Sequence, residues 1–383
     1  MRILTVLDFY RPYVSGLSVT VERLAVGLSA RGHSFTVLTH QHHRDLPRDE
    51  QAGPVRVLRA PVLARIGKAQ ISPALLRLAA REIRTADVLH LHAPLVPAVP
   101  LAILARRRRV PIVANYHCDL RLPPGAANRV FEAVARASQN FALDRAAVII
   151  NSTDDYARAT PALATRLEKF VGIVPPVPDL PPSGTSGSQL AARWKLSGRP
   201  IVLFVGRFAE EKGLPQLIAA LPKIRSRFPK AVLLLAGENE AIPGETVGQR
   251  LAPFLADPES GVVATGFVAD DEMAALFGLA DVLALPSINS TESFGMIQVE
   301  AMLCGLPVVA SDLPGVREPV RRSGMGEIAR TGDSEDLANQ ILRVLETPDR
   351  YRKPRASIRE TFSVEATLSA YERAYERARR AGP

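Results

Sequence analysis

The stretch Val282-Leu283-Ala284-Leu285-Pro286-Ser287-Ile288-Asn289-Ser290-Thr291-Glu292-Ser293-Phe294-Gly295-Met296-Ile297-Gln298-Val299-Glu300 passes from a short apolar run through a polar loop into a helix. That helix begins near Gly295 and is closed by Gly305-Leu306-Pro307. An apolar run, a polar loop and an amphipathic helix are the parts of a βαβ repeat. The same alternation continues outward. Strands are expected at Ile201–Val205, Val232–Ala236, Val262–Thr265, Val308–Ala310 and Glu327–Ala329, and helices near Leu214–Arg227, Met273–Leu279 and Glu335–Leu345. Upstream the pattern predicts strands at Ile3–Phe9, Ser34–Thr39, Val55–Ala60, Val88–His92, Ile112–His117, Val148–Asn151 and Phe170–Val174. The helices between them are Ser18–Ala30, Pro73–Arg84, Pro97–Arg106 and Ala127–Leu143. The strands are rich in Val, Ile and Leu on both faces, as in parallel sheets covered by helices on both sides. Pro175–Ser188 holds five prolines and a Gly/Ser run, which predicts a linker without regular structure. The expectation is two doubly wound α/β parallel-sheet domains, 1–175 and 191–383, joined by 176–190. A final charged helix, about 364–380, would pack back on the first domain. Ligands in such folds sit at the carboxyl ends of the strands, so a cleft between the domains is the expected site.

With 383 residues, 47% hydrophobic and 23% charged, the chain has the composition of a globular protein and not of a disordered tail. Two cysteines, Cys118 and Cys304, cannot build a disulfide framework or a four-cysteine zinc site, which suits a reducing, cytoplasmic setting. The N-terminus meets an acid at Asp8, too soon for a secretory signal. The longest apolar stretch, Ala93–Ala105, is interrupted by three prolines and is too short to span a bilayer. Charge is distributed unevenly. Residues 1–190 carry a surplus of +10 and residues 191–383 a balance of −1, and all seven histidines lie between His33 and His117. A basic half suggests nucleic acid, an anionic membrane face or an acidic substrate as partner.

Four constellations carry chemistry. In Glu292–Glu300 the helix start, with its free N–H groups and dipole, suits an anion, and Gly295 lets a phosphate approach the backbone. Glu292 and Glu300 could accept hydrogen bonds from hydroxyls on either side of that anion, as a ligand with phosphate and sugar parts requires. The plainer alternative is a helix with two surface acids. In Val205-Gly206-Arg207-Phe208-Ala209-Glu210-Glu211-Lys212-Gly213, Arg207 suits bidentate phosphate contacts and Lys212 a point charge. The alternative is a solvated turn in which Lys212 pairs with Glu210 or Glu211. Arg11-Pro12-Tyr13-Val14-Ser15-Gly16 opens the first helix and could present N–H groups to a phosphate. It is not a GxGxxG fingerprint, and no acid ends the second strand to hold a ribose, so a nicotinamide enzyme is disfavoured. Asn115-Tyr116-His117-Cys118-Asp119 places a His and an Asp where hydroxyls could be bound or protons handled. His90-x-His92 shares one face of a strand, and His40-Gln41-His42-His43 is expected in a loop; neither supplies a complete metal site.

Together these residues resemble a retaining glycosyltransferase of family 4, with the two-domain GT-B fold, over nearly the whole chain. The E-x7-E pattern from Glu292 to Glu300, the Gly206–Gly213 element, Ala301-Met302-Leu303-Cys304-Gly305-Leu306-Pro307-Val308-Val309-Ala310 and the opening Gly16…Val21-Glu22-Arg23-Leu24-Ala25 carry the resemblance. It implies two Rossmann-like domains facing a central cleft, the first for the acceptor and the second for a nucleotide-sugar donor. It further implies that Arg207 and Lys212 hold the donor diphosphate and that Glu300 binds the ribose. Glu292 with the Phe294-Gly295-Met296 backbone would grip the sugar and phosphate. Gly16 would line the pyrophosphate, with Ser15 standing where the family usually has another glycine. His117 would face the donor sugar, and Asp119 is a candidate contact to donor or acceptor. His117 and Glu292 are the candidate catalytic residues. The implied reaction moves a hexose, such as mannose or glucose, with retention to a lipid, lipid-linked or saccharide acceptor. No metal or other cofactor is expected, because Arg207, Lys212 and the helix dipole can neutralise the leaving diphosphate.

Under this reading the basic half receives the acceptor. Arg59, Arg65, Lys68, Arg77, Arg81 and Arg84 precede the run Arg106-Arg107-Arg108-Arg109. Arg77, Arg81 and Arg84 are expected on one face of a helix, where they could dock peripherally on anionic lipid at the inner face of the membrane. A solvated Arg-rich surface is the alternative. Competing functions are a GT-B-like sugar-nucleotide epimerase or phosphorylase and a basic nucleic-acid-binding protein. The latter is disfavoured because the basic run lacks interleaved aromatics, so no nucleic-acid partner is expected.

Overall fold

A computed structural model describes residues 1–66, 69–120, 125–237 and 246–382. The chain divides into two compact units. The first comprises Met1–Pro176 and returns from Val364 onward; the second is Val177–Ser363.

The first unit is built from β1 (Arg2–Val6), β2 (Ser34–Gln41), β3 (Asp49–Ala52) and β4 (Val55–Pro61). After them come a two-stranded ribbon of β5 (Ala64–Ile66) and β6 (Ala69–Ile71), then β7 (Val88–Ala93), β8 (Ile112–Tyr116), β9 (Val148–Asn151) and β10 (Phe170–Gly172). Eight of them form one sheet in the order β10-β9-β8-β7-β1-β2-β4-β3. Every pairing in it is parallel except β3 with β4. All six residues of β7 are buried, as both-face coverage requires. β1 stops at Val6, short of the expected Phe9: Leu7 donates one last bond to Leu38, and the chain then turns at Tyr10–Tyr13. β3 was not expected. Its DEQA sequence is mostly exposed and lacks apolar alternation, so backbone pairing at the sheet edge forms it without a sequence signal. β2 runs on to Gln41, so His40 and Gln41 end a strand and do not sit in a loop.

The final helix, Val364–Ala381, lies in the first unit. Leu368 reaches Gly27 of the helix Gly16–Ser29 so closely that an added Cβ there would stand 2.8 Å from it. Glu372 meets both Arg31 and His33, at 2.8 and 3.0 Å. Tyr371 and Tyr375 are fully buried, within a cluster that includes Ile3, Val37, Val88, Val113 and Ile150.

The second unit has β11 (Ile201–Val205), β12 (Val232–Ala236), β13 (Val262–Gly266), β14 (Val282–Leu285), β15 (Val308–Ser311) and β16 (Gly326–Ala329). They form one all-parallel sheet ordered β13-β12-β11-β14-β15-β16. Numbered within the unit, this is the 3-2-1-4-5-6 order of a doubly wound fold, which reverses between β11 and β14. The Gly/Ser run expected to hold no regular element ends in one. Ser186 and Gln189 form a reciprocal capping box that starts the helix Gly187–Arg193.

Candidate active site

The loops that leave β11 and β14 emerge on either side of the point where the strand order reverses, the usual ligand position in such sheets. Backbone contacts bind the two loops together. Ile288 N–H donates to Glu211 O at 2.9 Å. Gly213 sits at φ +69°, where a Cβ would stand 1.9 Å from Pro286 O. Only glycine lets the loops approach this closely.

This approach unites the two strongest sequence constellations. Lys212 Nζ lies 2.5 Å from Glu292 Oε2, both side chains largely covered. The solvated-turn alternative fails here, because neither nearby acid takes Lys212: Glu211 pairs with Arg207 at 3.0 Å, and Glu210 with Arg250 and Thr246. Gly295, at φ +76°, is the N-cap of the helix Met296–Leu303, and no side chain caps that helix. Its dipole therefore points toward the loop that carries Glu292. Glu300, the fifth helical residue, is half-buried.

Gln298 lies inside the same motif but escaped sequence reasoning. Its buried Nε2 donates to Phe294 O at 2.8 Å and to Val316 O at 2.9 Å, clamping the helix entrance to a neighbouring loop. A polar residue among apolar helix positions was the available signal. Phe294 is buried and meets Phe362 edge-on, with ring centroids 6.3 Å apart.

In the first unit, Gly16 is the first residue of its helix. Ser15, in the place of a glycine, caps it: Ser15 Oγ accepts from Ser18 N–H at 3.1 Å, and Ser18 Oγ accepts from Ser15 N–H at 2.9 Å. His117 follows β8, with Nε2 2.8 Å from His92 Nδ1 and 3.3 Å from Asn115 Nδ2. Burial lowers the His117 imidazole to about 4 and the His90 imidazole to about 3. His92 is pushed well below its ordinary value by burial and then by its two histidine neighbours. At neutral pH His117 therefore offers a dipole and not a cation. Asp119 Oδ1 accepts from Tyr116 Oη at 2.5 Å, so this carboxylate is already engaged. Tyr371 and Tyr375 were also missed: their one-turn spacing was visible, but not what they touch.

The basic face differs from expectation in two places. Arg59 is buried and bonds Glu50, Pro47 O and Arg11 O, so it adds nothing to a surface. The helix Pro73–Glu82 ends before Arg84, which lies in the following turn; Arg77 and Arg81 are exposed on the helix, and Arg81 pairs with Glu82. Arg106–Arg109 are all exposed and make no ion pair among the described residues. Lys68 lies outside the described residues.

Among the described residues, no group of three His, Cys, Asp or Glu side chains could hold a metal. None of the described helices is long and apolar enough to cross a membrane.

The family model described as "Glycosyl transferases group 1" matches residues 189–361, and "Glycosyl transferase 4-like domain" matches residues 15–172. A phosphatidyl-myo-inositol mannosyltransferase of Mycobacterium tuberculosis is 30% identical over 361 residues, 90% of this chain and 88% of that one. A 2-deoxystreptamine glucosyltransferase of Streptomyces kanamyceticus is 28% identical, covering 87% of this chain and 90% of that one. Anabaena HepE, solved with UDP and glucose, superposes with a TM-score of 0.75 at 23% identity, over 97% of this chain and 98% of that one. That last likeness is one of fold.

Proposed function

This chain belongs to the group 1 glycosyl transferases, and on that premise we propose that it moves a hexose from a nucleotide-diphosphate donor, with retention and without a metal, to a cyclitol-bearing lipid or saccharide acceptor. It is a glycosyltransferase of the GT-B type, which sets aside the epimerase and nucleic-acid readings. The observation that carries the finer reading is the Lys212–Glu292 contact, made across two loops at the switch point beside an uncapped helix start. It puts a cation, a hydroxyl-accepting carboxylate and a helix dipole in one place, as a sugar diphosphate requires.

In this mechanism Arg207 and Lys212 take the diphosphate charge that develops as the C1–O bond breaks. Glu300 holds the ribose. Glu292 binds hydroxyls of the transferred sugar and tethers Lys212 until the diphosphate arrives. The acceptor oxygen attacks C1 from the face the diphosphate leaves, and its proton passes to the departing phosphate oxygen. The product keeps the donor's anomeric configuration. The cyclitol class is supported by the names of two relatives, whose substrates contain myo-inositol and 2-deoxystreptamine.

A thermal-shift panel of UDP-, GDP- and ADP-hexoses tests the donor. A donor at 100 times its Kd adds about 2.7 kcal/mol of stability. NMR of the product, formed with phosphatidylinositol or 2-deoxystreptamine in the presence of EDTA, is expected to show the donor's own anomer. An inverted anomer, or activity abolished by EDTA and restored by a divalent cation, would overturn the mechanism.

A further inference from the structure

We propose that Tyr371 of the C-terminal helix fixes the tautomer of His117 through Asn115, so that His117 meets the donor sugar as a neutral Nδ1–H donor. The inference rests on the reading above in one respect, that His117 faces the sugar. The tautomer itself follows from three contacts, the first of them wholly buried.

The first is Tyr371 Oη to Asn115 Oδ1, at 2.7 Å. Both side chains are buried, Tyr371 at 1% exposure and Asn115 at 5%. Asn115 is the phenol's hydrogen-bond partner, so its oxygen must face the phenol. With the amide turned over, the phenolic proton would be buried without an acceptor, a costly arrangement.

The second contact follows from the first. With Oδ1 toward Tyr371, the amide N–H group faces His117 Nε2 at 3.3 Å. The third is His92 Nδ1, 2.8 Å from the same Nε2. If Nε2 carried a proton, it would meet the Asn115 N–H donor head-on. If Nε2 is bare, it accepts from His92 Nδ1–H and, more weakly, from Asn115. The proton of His117 then resides on Nδ1, the nitrogen that none of these neighbours uses. His92 is left with an unprotonated Nε2, which matches its lack of a partner: a buried lone pair is tolerated better than a buried N–H.

Tyr371 and Asn115 are positioning residues, since neither would touch the substrate. Tyr375 supplies the internal control. It is equally buried on the same helix, but its hydroxyl meets His90 Nδ1 at 3.0 Å and not Asn115.

The test is 15N-histidine NMR of the full chain without ligand, where two-bond correlations distinguish protonated from bare ring nitrogens. In the parent protein His117 should show a protonated Nδ1 and a bare Nε2. Tyr371→Phe frees the Asn115 amide to turn, so the Nε2–H form should become populated, and turnover should fall at least tenfold with little change in donor KM. Asn115→Asp places an acceptor beside Nε2 and should invert the tautomer. Tyr375→Phe should change neither the His117 tautomer nor turnover. Should Asn115→Asp fail to fold, Tyr371→Phe, which keeps the ring, decides alone. A parent His117 protonated on Nε2, or one unmoved by Tyr371→Phe, would overturn the inference. The spectra need no substrate, so absence of sugar transfer would count only against the functional reading.

Discussion

Lys212 and Glu292 are 80 positions apart, yet they share one short contact. Glu292→Gln keeps the shape but removes the charge that tethers Lys212 and accepts sugar hydroxyls. A charge-assisted hydrogen bond contributes about 1.5–3 kcal/mol, so kcat/KM should fall roughly 10–100-fold. A loss no larger than that of a surface substitution would remove Glu292 from the site. Gly213 can be tested against Gly198, which also has positive φ but open space around the Cβ position. Gly198→Ala should cost about 1 kcal/mol through strain alone. Gly213→Ala must also part the two loops, and should abolish the donor-induced thermal shift; retention of that shift would show that the loop contact is dispensable. At this scale the spacing of Glu292 and Glu300 was legible in the sequence. The Lys212–Glu292 pair was not, because nearer acids, Glu210 and Glu211, offered a simpler partner. Only the meeting of two distant loops excludes them.

The helix Ala98–Arg108 ends in three arginines, and Arg109 follows as its left-handed C-cap at φ 57°. Cations in a last turn complement the helix dipole, which gives the run a structural reason for being there. The left-handed position gives it a structural cost. Arg109→Gly should therefore leave stability unchanged or raise it, by up to about 1 kcal/mol in a denaturant titration. A clear loss would mean that the Arg109 side chain makes a contact outweighing the strain. Docking on anionic lipid is a separate question. If the exposed run carries it, replacing Arg106, Arg107 and Arg108 with Gln should abolish salt-sensitive sedimentation with anionic vesicles. Undiminished sedimentation, or none by the parent protein, would remove the run as a docking face. Elements with apolar periodicity, such as β11 and β14, were legible almost to the residue. β3 was not, since it carries no pattern, and Arg84 was placed on a helix that ends at Glu82 because exposed arginines do not mark a terminus.

For the whole chain, alternation of strands and helices and the proline-rich break disclosed two doubly wound units. The destination of the last helix was less legible: its charged pattern shows that it has an outer face, but not which partners its tyrosines meet. The histidines they meet make a global prediction. Folded His90, His92 and His117 resist protonation, whereas unfolded histidines titrate near 6.5. As pH falls from about 6.5 toward 4, the unfolded state therefore gains up to three protons that the folded state does not. Stability should fall by about 1.4 kcal/mol per pH unit for each such histidine. Asp8, raised to about 7 by burial, and His40, lowered to about 4 by burial, shift in opposite senses and largely cancel. Denaturant midpoints at pH 7.5, 6 and 5 measure the slope, and His90→Gln should reduce it by one proton. An unchanged slope would mean that His90 already binds a proton in the folded protein. The return of Val364 onward to the first unit has a consequence for biosynthesis. The ribosome makes most of that unit first, yet the largely apolar face that Tyr371 and Tyr375 cover stays open until the last helix emerges. At about 5–20 residues per second this wait lasts on the order of 10–40 s, most of it spent making Val177–Ser363. The second unit thus has all its residues before the first does, although its synthesis begins later. The half translated earliest is the one whose core waits longest for its last residues.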